Sequence, residues 1–450
     1  MRLFTAVAGA CLFGWLAGCG SGDDAADAAC SPSAQTGCQE GQVCEEVQGG
    51  EPACFAPIHV QGRVFDLADA AAVSGAHVVA RDANGAAASG VAVSEASGVY
   101  SLRVPVARDS EGEPASTQYT LRVDAAGYLG FPVAPRSAVP VDVSMHDGGV
   151  VENAATDVGL IALEQTEGLG TIEGSVAAPR PGGALIVAAG VTGIAGHDGR
   201  FTVFNVPEGE REVRAYLVGY NLEAETVEVA RGATTSGVDL GVVRAEAAAV
   251  SGKVSLVNPG DGDETSVILV VAETFVEAVA RGEVPAGLRA EGVTGDFEIS
   301  GVPDGDYFAL AAFENDDLVR DPDVSQGGTD VVAVRVSGSD VVMDESFKVT
   351  GALAVTSPDA EEVVTGTPTF TWEDDSGEEH YSVAVYDAFG TRIWIEENVP
   401  SVSGSTEVSV DYAGPDLISG LVYQFRATSY KNGGAPISTT EDLRGVFVYE

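Results

Sequence analysis

The chain has 450 residues and a formal net charge of −45, because 68 acidic side chains outnumber 23 basic ones. This length suffices for several domains. So acidic a surface repels nucleic acid and anionic lipid headgroups, which excludes nucleic-acid binding and leaves only a diffuse attraction for calcium and other divalent cations.

The N-terminus reads as an export signal. Arg2 precedes a short apolar run, Leu3–Trp15, which is too short to span a membrane, and small residues lead to Cys19. The sequence Leu-Ala-Gly-Cys resembles the lipobox of bacterial lipoproteins. This resemblance implies removal of residues 1–18, lipidation of Cys19, as with palmitate, and a place in the cell envelope, with Gly20 favouring the outer membrane. The alternative is an ordinary secreted protein with a cysteine near its cleavage site.

Four further cysteines lie close together after an acidic, flexible tether at 19–29. A stretch at 30–56 with few apolar residues contains all four, so an exported chain would gain stability from two disulfides there. Four cysteines allow three connectivities, and the sequence does not choose among them. The absence of C-x-x-C and of histidine argues against a metal site. The predicted disulfide cysteines are Cys30, Cys38, Cys44 and Cys54.

The middle of the chain repeats one strand order three times. Each copy opens on a Gly-x-Val strand around Gly62, Gly174 or Gly252, and each later reaches a strand that begins Gly-x-aromatic. Apolar residues alternate along these strands, as in strands with one buried face. The first two copies then continue to a Gly-Tyr pair. In the third copy, residues 273–281 have the spacing of a short surface helix.

This set of strands resembles the carboxypeptidase regulatory-like domain. The resemblance implies seven-stranded, transthyretin-like β-sandwiches, of a type grouped with starch-binding-like folds, and a non-catalytic role. We assign them to residues 57–164, 168–246 and 247–350. The linkers are only a few residues long, which predicts domains that abut as a semi-rigid rod.

The last segment, 351–450, differs from the copies before it. Trp372 lies on an early alternating strand, and a Leu-x-x-Gly-x-x-Tyr sequence places Tyr423 before another. These features resemble a fibronectin type III domain, which implies that Trp372 is in the core and that the Tyr423 hydroxyl binds backbone. The whole chain is therefore predicted to be all-β.

The sequence contains no recognisable catalytic or cofactor site. The five histidines are scattered over three domains, and H-E-x-x-H, G-x-S-x-G and P-loop motifs are absent. We therefore predict a protein that is not an enzyme and binds no cofactor. Acidic loops are the remaining candidates for calcium, and the best of them combines turn residues with Glu314, Asp316, Asp317, Asp321 and Asp323.

Two function hypotheses follow. The first is a lipid-anchored surface protein, periplasmic or external, in which a rod of sandwiches binds or spaces a partner. The second is a carbohydrate-binding accessory of a polysaccharide uptake or degradation system, because Tyr216, Phe308 and Trp394 could point away from their cores and stack on sugars. Phe308 and Tyr216 could equally face the second side of a sandwich or a neighbouring domain.

Overall fold

The computed structural model describes residues 30–32, 35–244, 247–256, 264–277, 281–311, 318–320, 331–375, 377–402 and 404–450. Within these ranges the fold is all-β, as predicted, and consists of a disulfide module, three sandwiches and a C-terminal domain. Its two named helical segments are single 3-10 turns at Val143–Met145 and Ala272–Thr274.

The disulfide module is a small hairpin whose two bonds are Cys30–Cys44 and Cys38–Cys54. Its strands pair antiparallel with Cys44 opposite Cys54, so both disulfides meet at the same rung. The strands are β1 (Val43–Glu45) and β2 (Ala53–Phe55).

Sandwich 1 consists of two facing sheets. One has the order β10-β3-β6, with β9 also paired to β3, and the other has the order β5-β4-β7-β8. Buried and more exposed residues alternate along β6 and β3, because successive side chains of a strand point to opposite faces of the sheet. One face of this sheet therefore packs on the other sheet of the sandwich. The strands are β3 (Ile58–Asp66), β4 (His77–Arg81), β5 (Ala92–Val93), β6 (Val99–Val104), β7 (Gln118–Asp124), β8 (Val141–Asp142), β9 (Val150–Val151) and β10 (Val158–Leu160).

Sandwich 2 has sheets of order β14-β11-β18-β16 and β13-β12-β15-β17. Its first and last strands, β11 and β18, run parallel, as β3 and β10 do in sandwich 1. Its strands are β11 (Leu169–Ala177), β12 (Leu185–Ala188), β13 (Val191–Ile194), β14 (Arg200–Pro207), β15 (Gly209–Tyr216), β16 (Asn221–Leu222), β17 (Glu225–Val229) and β18 (Thr234–Arg244).

Sandwich 3 repeats the order of sandwich 2 strand for strand, as β22-β19-β26-β24 and β21-β20-β23-β25. The predicted threefold repeat is therefore a repeat of topology, with eight strands in each of these copies rather than seven. The strands are β19 (Ala248–Leu256), β20 (Thr265–Val271), β21 (Arg289–Val293), β22 (Asp296–Val302), β23 (Gly305–Ala311), β24 (Leu318–Arg320), β25 (Val332–Val336) and β26 (Val341–Gly351).

The C-terminal domain pairs a three-stranded sheet, β27-β29-β32, with a larger one, β28-β35-β33-β30-β31, to which β34 adds. Trp372 and Tyr423 are both buried, and the Tyr423 hydroxyl accepts a hydrogen bond from the Ile418 N–H at 2.8 Å. Both predictions for these residues are confirmed. The strands are β27 (Val355–Ser357), β28 (Glu362–Val364), β29 (Thr369–Glu373), β30 (His380–Asp387), β31 (Arg392–Pro400), β32 (Glu407–Asp411), β33 (Val422–Tyr430), β34 (Pro436–Thr439) and β35 (Val446–Tyr449).

The predicted helix over 273–281 is wrong where the structure describes it. A 3-10 turn occupies Ala272–Thr274, and Val276 then pairs with Arg281 as an isolated β-bridge. The Thr274 hydroxyl accepts the Glu283 N–H at 2.9 Å, which fixes the end of this insertion. The Thr274 hydroxyl also donates to the Val271 carbonyl at 2.8 Å, so this side chain ties the turn to the segment that follows the insertion.

The predicted rod is also wrong. In a rod only consecutive domains touch, whereas sandwich 1 contacts sandwich 2, sandwich 3 and the C-terminal domain. Val79 of sandwich 1 packs into the apolar core cluster of sandwich 3, and Val422 and Val446 of the C-terminal domain pack into that of sandwich 1. Burial of this apolar surface favours a compact arrangement over an extended one.

Candidate functional site

The most heavily charged buried site of the described residues lies where the three sandwiches meet. The Glu283 carboxylate, on the loop between β20 and β21, receives Arg81 at 2.6 and 2.7 Å and Arg122 at 2.5 Å. Arg122 also donates to Asp124 at 2.6 Å and to the Thr192 hydroxyl of sandwich 2 at 2.7 Å. We call these five residues the Glu283 junction.

The strands of sandwich 1 position the cations of this junction. Arg81 is the last residue of β4, and Arg122 lies on the neighbouring strand β7, so both point from one sheet toward sandwich 3. The Arg122 side chain is only 4% exposed and that of Glu283 22%. Because a guanidinium has five donors in a planar fork, one arginine can bind two carboxylates and a hydroxyl at once.

The charges of the junction stabilise one another. Burial alone would raise the pKa of Glu283, but the nearby charges of Arg122 and Arg81 outweigh it and hold that pKa below its ordinary value. Burial would likewise lower the pKa of Arg122, and Asp124 and Glu283 raise it instead. Glu283 and Arg122 therefore stay ionised near neutral pH, which suits a structural ion pair rather than proton transfer.

A second contact joins sandwich 1 to the C-terminal domain. The Arg136 guanidinium donates to the Phe389 carbonyl at 2.7 and 3.1 Å and to the Gly159 carbonyl at 2.7 Å, with the Phe131 ring 4.6 Å away. Burial lowers the pKa of Arg136, although Asp387 offsets part of this effect. The two domains are thus linked by a buried cation that binds carbonyl groups.

A third contact joins sandwich 3 to the C-terminal domain. The Asp442 carboxylate pairs with Arg281 of sandwich 3 and, at 2.7 Å, with Arg426 of its own domain. Arg426 in turn donates to the Ser137 hydroxyl of sandwich 1 at 3.0 Å. Sandwich 1 is therefore connected to every other sandwich by polar as well as apolar contacts.

The histidines do not converge on a site. His77 is half-buried at the boundary between sandwiches 1 and 2, where its ring meets that of Phe204 edge-on at 5.0 Å. Burial lowers its pKa, although Asp124 and Glu173 act in the opposite direction. His380 stacks on Tyr430 of the C-terminal domain at 5.0 Å. These contacts are structural ones.

The three aromatic residues considered as sugar platforms are packed instead. Tyr216 is buried against Tyr307 of sandwich 3, with the ring centroids 5.8 Å apart. Phe308 packs on Phe275 at 4.7 Å, and Trp394 packs on Tyr412 at 5.2 Å. Tyr216 does point away from the core of sandwich 2, but it packs into the apolar cluster of sandwich 3. Phe308 likewise lies on the face opposite the buried Tyr307, where Phe275 covers it. The expectation is wrong for Trp394, which packs against the core of its own domain.

The five predicted calcium ligands, Glu314, Asp316, Asp317, Asp321 and Asp323, lie outside the described residues, as does Cys19. A second acidic stretch, at Asp374 and Asp375, is described, and it serves hydrogen bonds within the C-terminal domain. The Tyr381 hydroxyl donates to Asp374 at 2.9 Å, and the Ser429 hydroxyl donates to Asp375 at 2.7 Å. These hydrogen bonds give Asp374 and Asp375 a structural role in the C-terminal domain.

One hollow of the described residues is shallow and belongs to sandwich 2. It has a volume of about 650 Å³ and lies on the outer side of β11, β14 and β18, between Glu173, Arg200 and Asp239. All three side chains are exposed, and Arg200 pairs with Asp198 at 3.6 Å. Ligand sites usually enclose most of the ligand surface, whereas this hollow is open to solvent and lined by exposed charged side chains.

Sequence reasoning missed the Glu283 junction. Arg81 and Arg122 follow the alternation of ordinary surface residues, and Glu283 is one acidic residue among many in a loop. One signal was present: the runs Leu185–Ala188 and Thr265–Val271 are buried throughout. Continuous apolar strands are covered on both faces, which indicates sandwiches that pack on each other.

Comparison with known proteins adds no family. No family model matches the chain, and no curated protein matches it. Solved structures with some likeness include a DUF3823 family protein from Bacteroides ovatus (12% identity, 45% of this chain, 98% of that one, TM-score 0.23). They also include the TIE protein of Bacillus anthracis, with 10% identity over 92% of this chain and 71% of that one and a TM-score of 0.16. A third is the major pilin subunit of Bacillus cereus, with 12% identity over 66% of this chain and 99% of that one and a TM-score of 0.15. These values are too low to transfer a function.

A search for membrane-spanning helices gave a negative result: within the described residues, none is long and apolar enough to cross a bilayer.

Proposed function

We propose that this chain is a lipid-anchored, non-catalytic protein of the cell envelope, in which three sandwiches and a C-terminal domain form one stiff unit that binds or spaces a partner. The observation that carries the proposal is the Glu283 junction. There a loop of sandwich 3 reaches across to two arginines of sandwich 1, and a strand of sandwich 2 contributes Thr192.

The distribution of ionisable groups supports a non-catalytic role. Among the described residues, the buried charges of the Glu283 junction are paired with each other across domain boundaries, and the hollow beside Glu173 is open and shallow. A catalytic site needs a nucleophile, a base and an orienting group around one concave position. The folded unit instead has buried charges that hold domains together.

The disulfides and the N-terminal sequence support an envelope location. Two disulfides within the first folded module favour an oxidising compartment. The sequence before Cys19 supports lipid attachment, and two or more acyl chains anchor a protein stably. The acidic tether at 19–29 would then separate the folded unit from the bilayer.

Fractionation of cells that express Cys19→Ala tests the anchor. We expect the wild-type protein in the membrane fraction, with a lipid-sized mass increase on its N-terminal peptide, and the variant in the soluble exported fraction. Cys11→Ala is the matched control, since it changes a cysteine within the signal and should leave anchoring intact. Equal membrane association of Cys19→Ala and the wild type would contradict the anchor.

Sedimentation and small-angle scattering of the soluble form test the stiff unit separately. A single compact particle is expected, whereas a distribution of extended particles would contradict the proposal. Binding of the same particle to a glycan array would instead favour the carbohydrate-binding hypothesis.

A further inference from the structure

Sandwiches 2 and 3 carry the same irregularity at the same place. In β14, Phe204 and Asn205 together lie opposite the single residue Thr171, because the register with β11 shifts there. In β22 the register with β19 shifts at the equivalent point, where Gly301 takes the position of Asn205. Both residues have left-handed backbone, with φ of 58° and 74°.

Asparagine and glycine are the residues that adopt this backbone at least cost. Each copy therefore has a β-bulge with a left-handed residue, a feature that redirects the strand locally. We call this residue, Asn205 or Gly301, the bulge residue.

Each bulge residue binds the Gly-Tyr turn of the preceding sandwich. The Gly127 N–H of sandwich 1 donates to the Asn205 side-chain oxygen at 2.8 Å. The Gly219 N–H of sandwich 2 donates to the Gly301 carbonyl at 2.7 Å. The donor is thus the glycine of the Gly-Tyr pair in both cases, and the acceptor is the bulge residue in both cases.

The Asn205 side chain makes two further hydrogen bonds to the Gly-Tyr turn of sandwich 1. Its amide nitrogen donates to the Ala125 and Tyr128 carbonyls, at 2.9 Å each. One side chain thereby pairs with three backbone groups of the turn, as buried backbone groups require.

Sandwich 1 lacks the bulge. Its β6 pairs with β3 in unbroken register, from Ile58 opposite Val104 through Gly62 opposite Tyr100. The loop after β6 instead binds the disulfide module: the Arg108 N–H donates to the Glu46 carbonyl and the Gln48 N–H donates to the Arg108 carbonyl, both at 2.8 Å.

The Arg108 side chain completes this contact. It pairs with the Glu45 carboxylate at 2.6 Å, with both side chains no more than 6% exposed, and its guanidinium lies 4.6 Å from the Phe55 ring. Sandwich 3, the last copy, has a bulge residue but no Gly-Tyr turn, since no Gly-Tyr pair follows β23 in the sequence.

We propose that the bulge residue and the Gly-Tyr turn are the two halves of a joint that docks each sandwich on the one before it, and that the disulfide module is the N-terminal cap of the series. The first copy has the turn but no bulge, the middle copy has both, and the last copy has the bulge but no Gly-Tyr. The cap contacts sandwich 1 at the connection where sandwiches 2 and 3 contact their predecessors. Repeat proteins need such terminal caps because an end copy has one neighbour fewer.

Amide hydrogen exchange on the intact exported chain tests the joint. Asn205→Ala removes the acceptor of the Gly127 N–H, and we expect exchange at Gly127 to accelerate by about tenfold or more while Gly219 is unchanged. Gly301→Ala places a methyl group 3.0 Å from the Gly219 nitrogen at a left-handed position, and we expect the reverse pattern.

Gly295→Ala is the matched control, because a methyl group at Gly295 meets nothing within 4 Å. The joint is contradicted if both variants accelerate both amides equally, or if neither amide changes.

Arg108→Gln tests the cap in the same experiment. We expect faster exchange at Gln48 with unchanged exchange at Gly127 and Gly219, and Arg103→Gln, at an exposed position on β6, serves as the control. Unchanged exchange at Gln48 would contradict the cap.

Discussion

Phe201 lies directly opposite Gly174 in the β11–β14 ladder, and its ring covers the glycine. A Cβ placed on Gly174 would lie 2.6 Å from the ring Cζ atom and 2.3 Å from the Val238 carbonyl oxygen. Gly252 and Phe297 form the same pair in sandwich 3. The two halves of the repeated sequence signature are therefore partners across one ladder.

Gly174→Ala should destabilise the protein by about 1–3 kcal/mol, because the methyl group cannot avoid the backbone of β18. Chemical denaturation measures the loss. Gly241→Ala, on β18 with nothing within 4 Å of the added methyl, is the matched control and should be neutral or slightly stabilising. Equal effects from the two substitutions would contradict the packing described.

Glu283→Gln should weaken the contact between sandwiches 1 and 3 by about 2–3 kcal/mol, because Arg81 and Arg122 would lose their shared counter-charge. The measurement is the free energy of unfolding together with protease sensitivity. Glu291→Gln changes an exposed glutamate of the same sandwich, whose partner is Arg289, and should cost less than about 1 kcal/mol. A similar loss in both variants would argue against the junction.

Acid should loosen the sandwiches in two steps. The pKa of His77 is lowered in the folded protein, so neutral His77 favours the folded state. Its contribution to the free energy of unfolding is complete above about pH 6.5 and is lost as the pH falls through the folded pKa. The pKa of Glu283 is also lowered, so its contribution is present above about pH 4.3 and is lost at lower pH.

Thermal unfolding across this pH range measures both steps. His77→Gln should remove the first step and leave the second. Stability that stays constant down to pH 4 in the wild type would contradict the first step.

Tyr423→Phe should cost about 1 kcal/mol, because the Ile418 N–H loses the hydroxyl that accepts it. Tyr449→Phe, at a partly exposed position of the same domain, is the control and should change stability little. Denaturation followed by the fluorescence of buried Trp372 reports on this domain. A Tyr423→Phe variant as stable as the wild type would show that the hydroxyl contact does not contribute to the stability of the domain.

Digestion without reductant should yield two linked peptide pairs, Cys30 with Cys44 and Cys38 with Cys54. Each bond closes a loop of about 15 residues and should contribute about 3 kcal/mol in the chain-entropy account. Mass spectrometry identifies the pairs, and reduction provides the control. Any other pairing would contradict the described module.

The sequence was informative about layers and uninformative about how the sandwiches are arranged. Alternation in β6 and β25 is a property of single strands, so it predicts which residues face the core of one sandwich. It cannot say that Val79, on the opposite face of β4, enters the apolar cluster of sandwich 3. The rod was predicted from the length of the linkers. The arrangement of the sandwiches depends instead on whether the outer faces of their sheets are apolar.

The Glu283 junction could not be predicted for a related reason. Its partners are separated by 161 and 202 residues, and each belongs to a residue type that is abundant on this acidic surface or common on strands. Tyr423 was predictable because its partner is five residues away in a recognisable local motif. Local motifs can be read from one sequence, whereas charge pairs between distant domains need the fold.

The contact of Arg136 with Phe389 spans 253 residues of chain. Synthesis proceeds from the N-terminus, so sandwich 1 is complete long before the domain that supplies this carbonyl. Until the last strands arrive, the surface around Arg136 stays uncovered, and exposed apolar surface of this kind promotes aggregation. Correct folding of the chain is therefore expected to depend on how quickly its C-terminal domain follows sandwich 1.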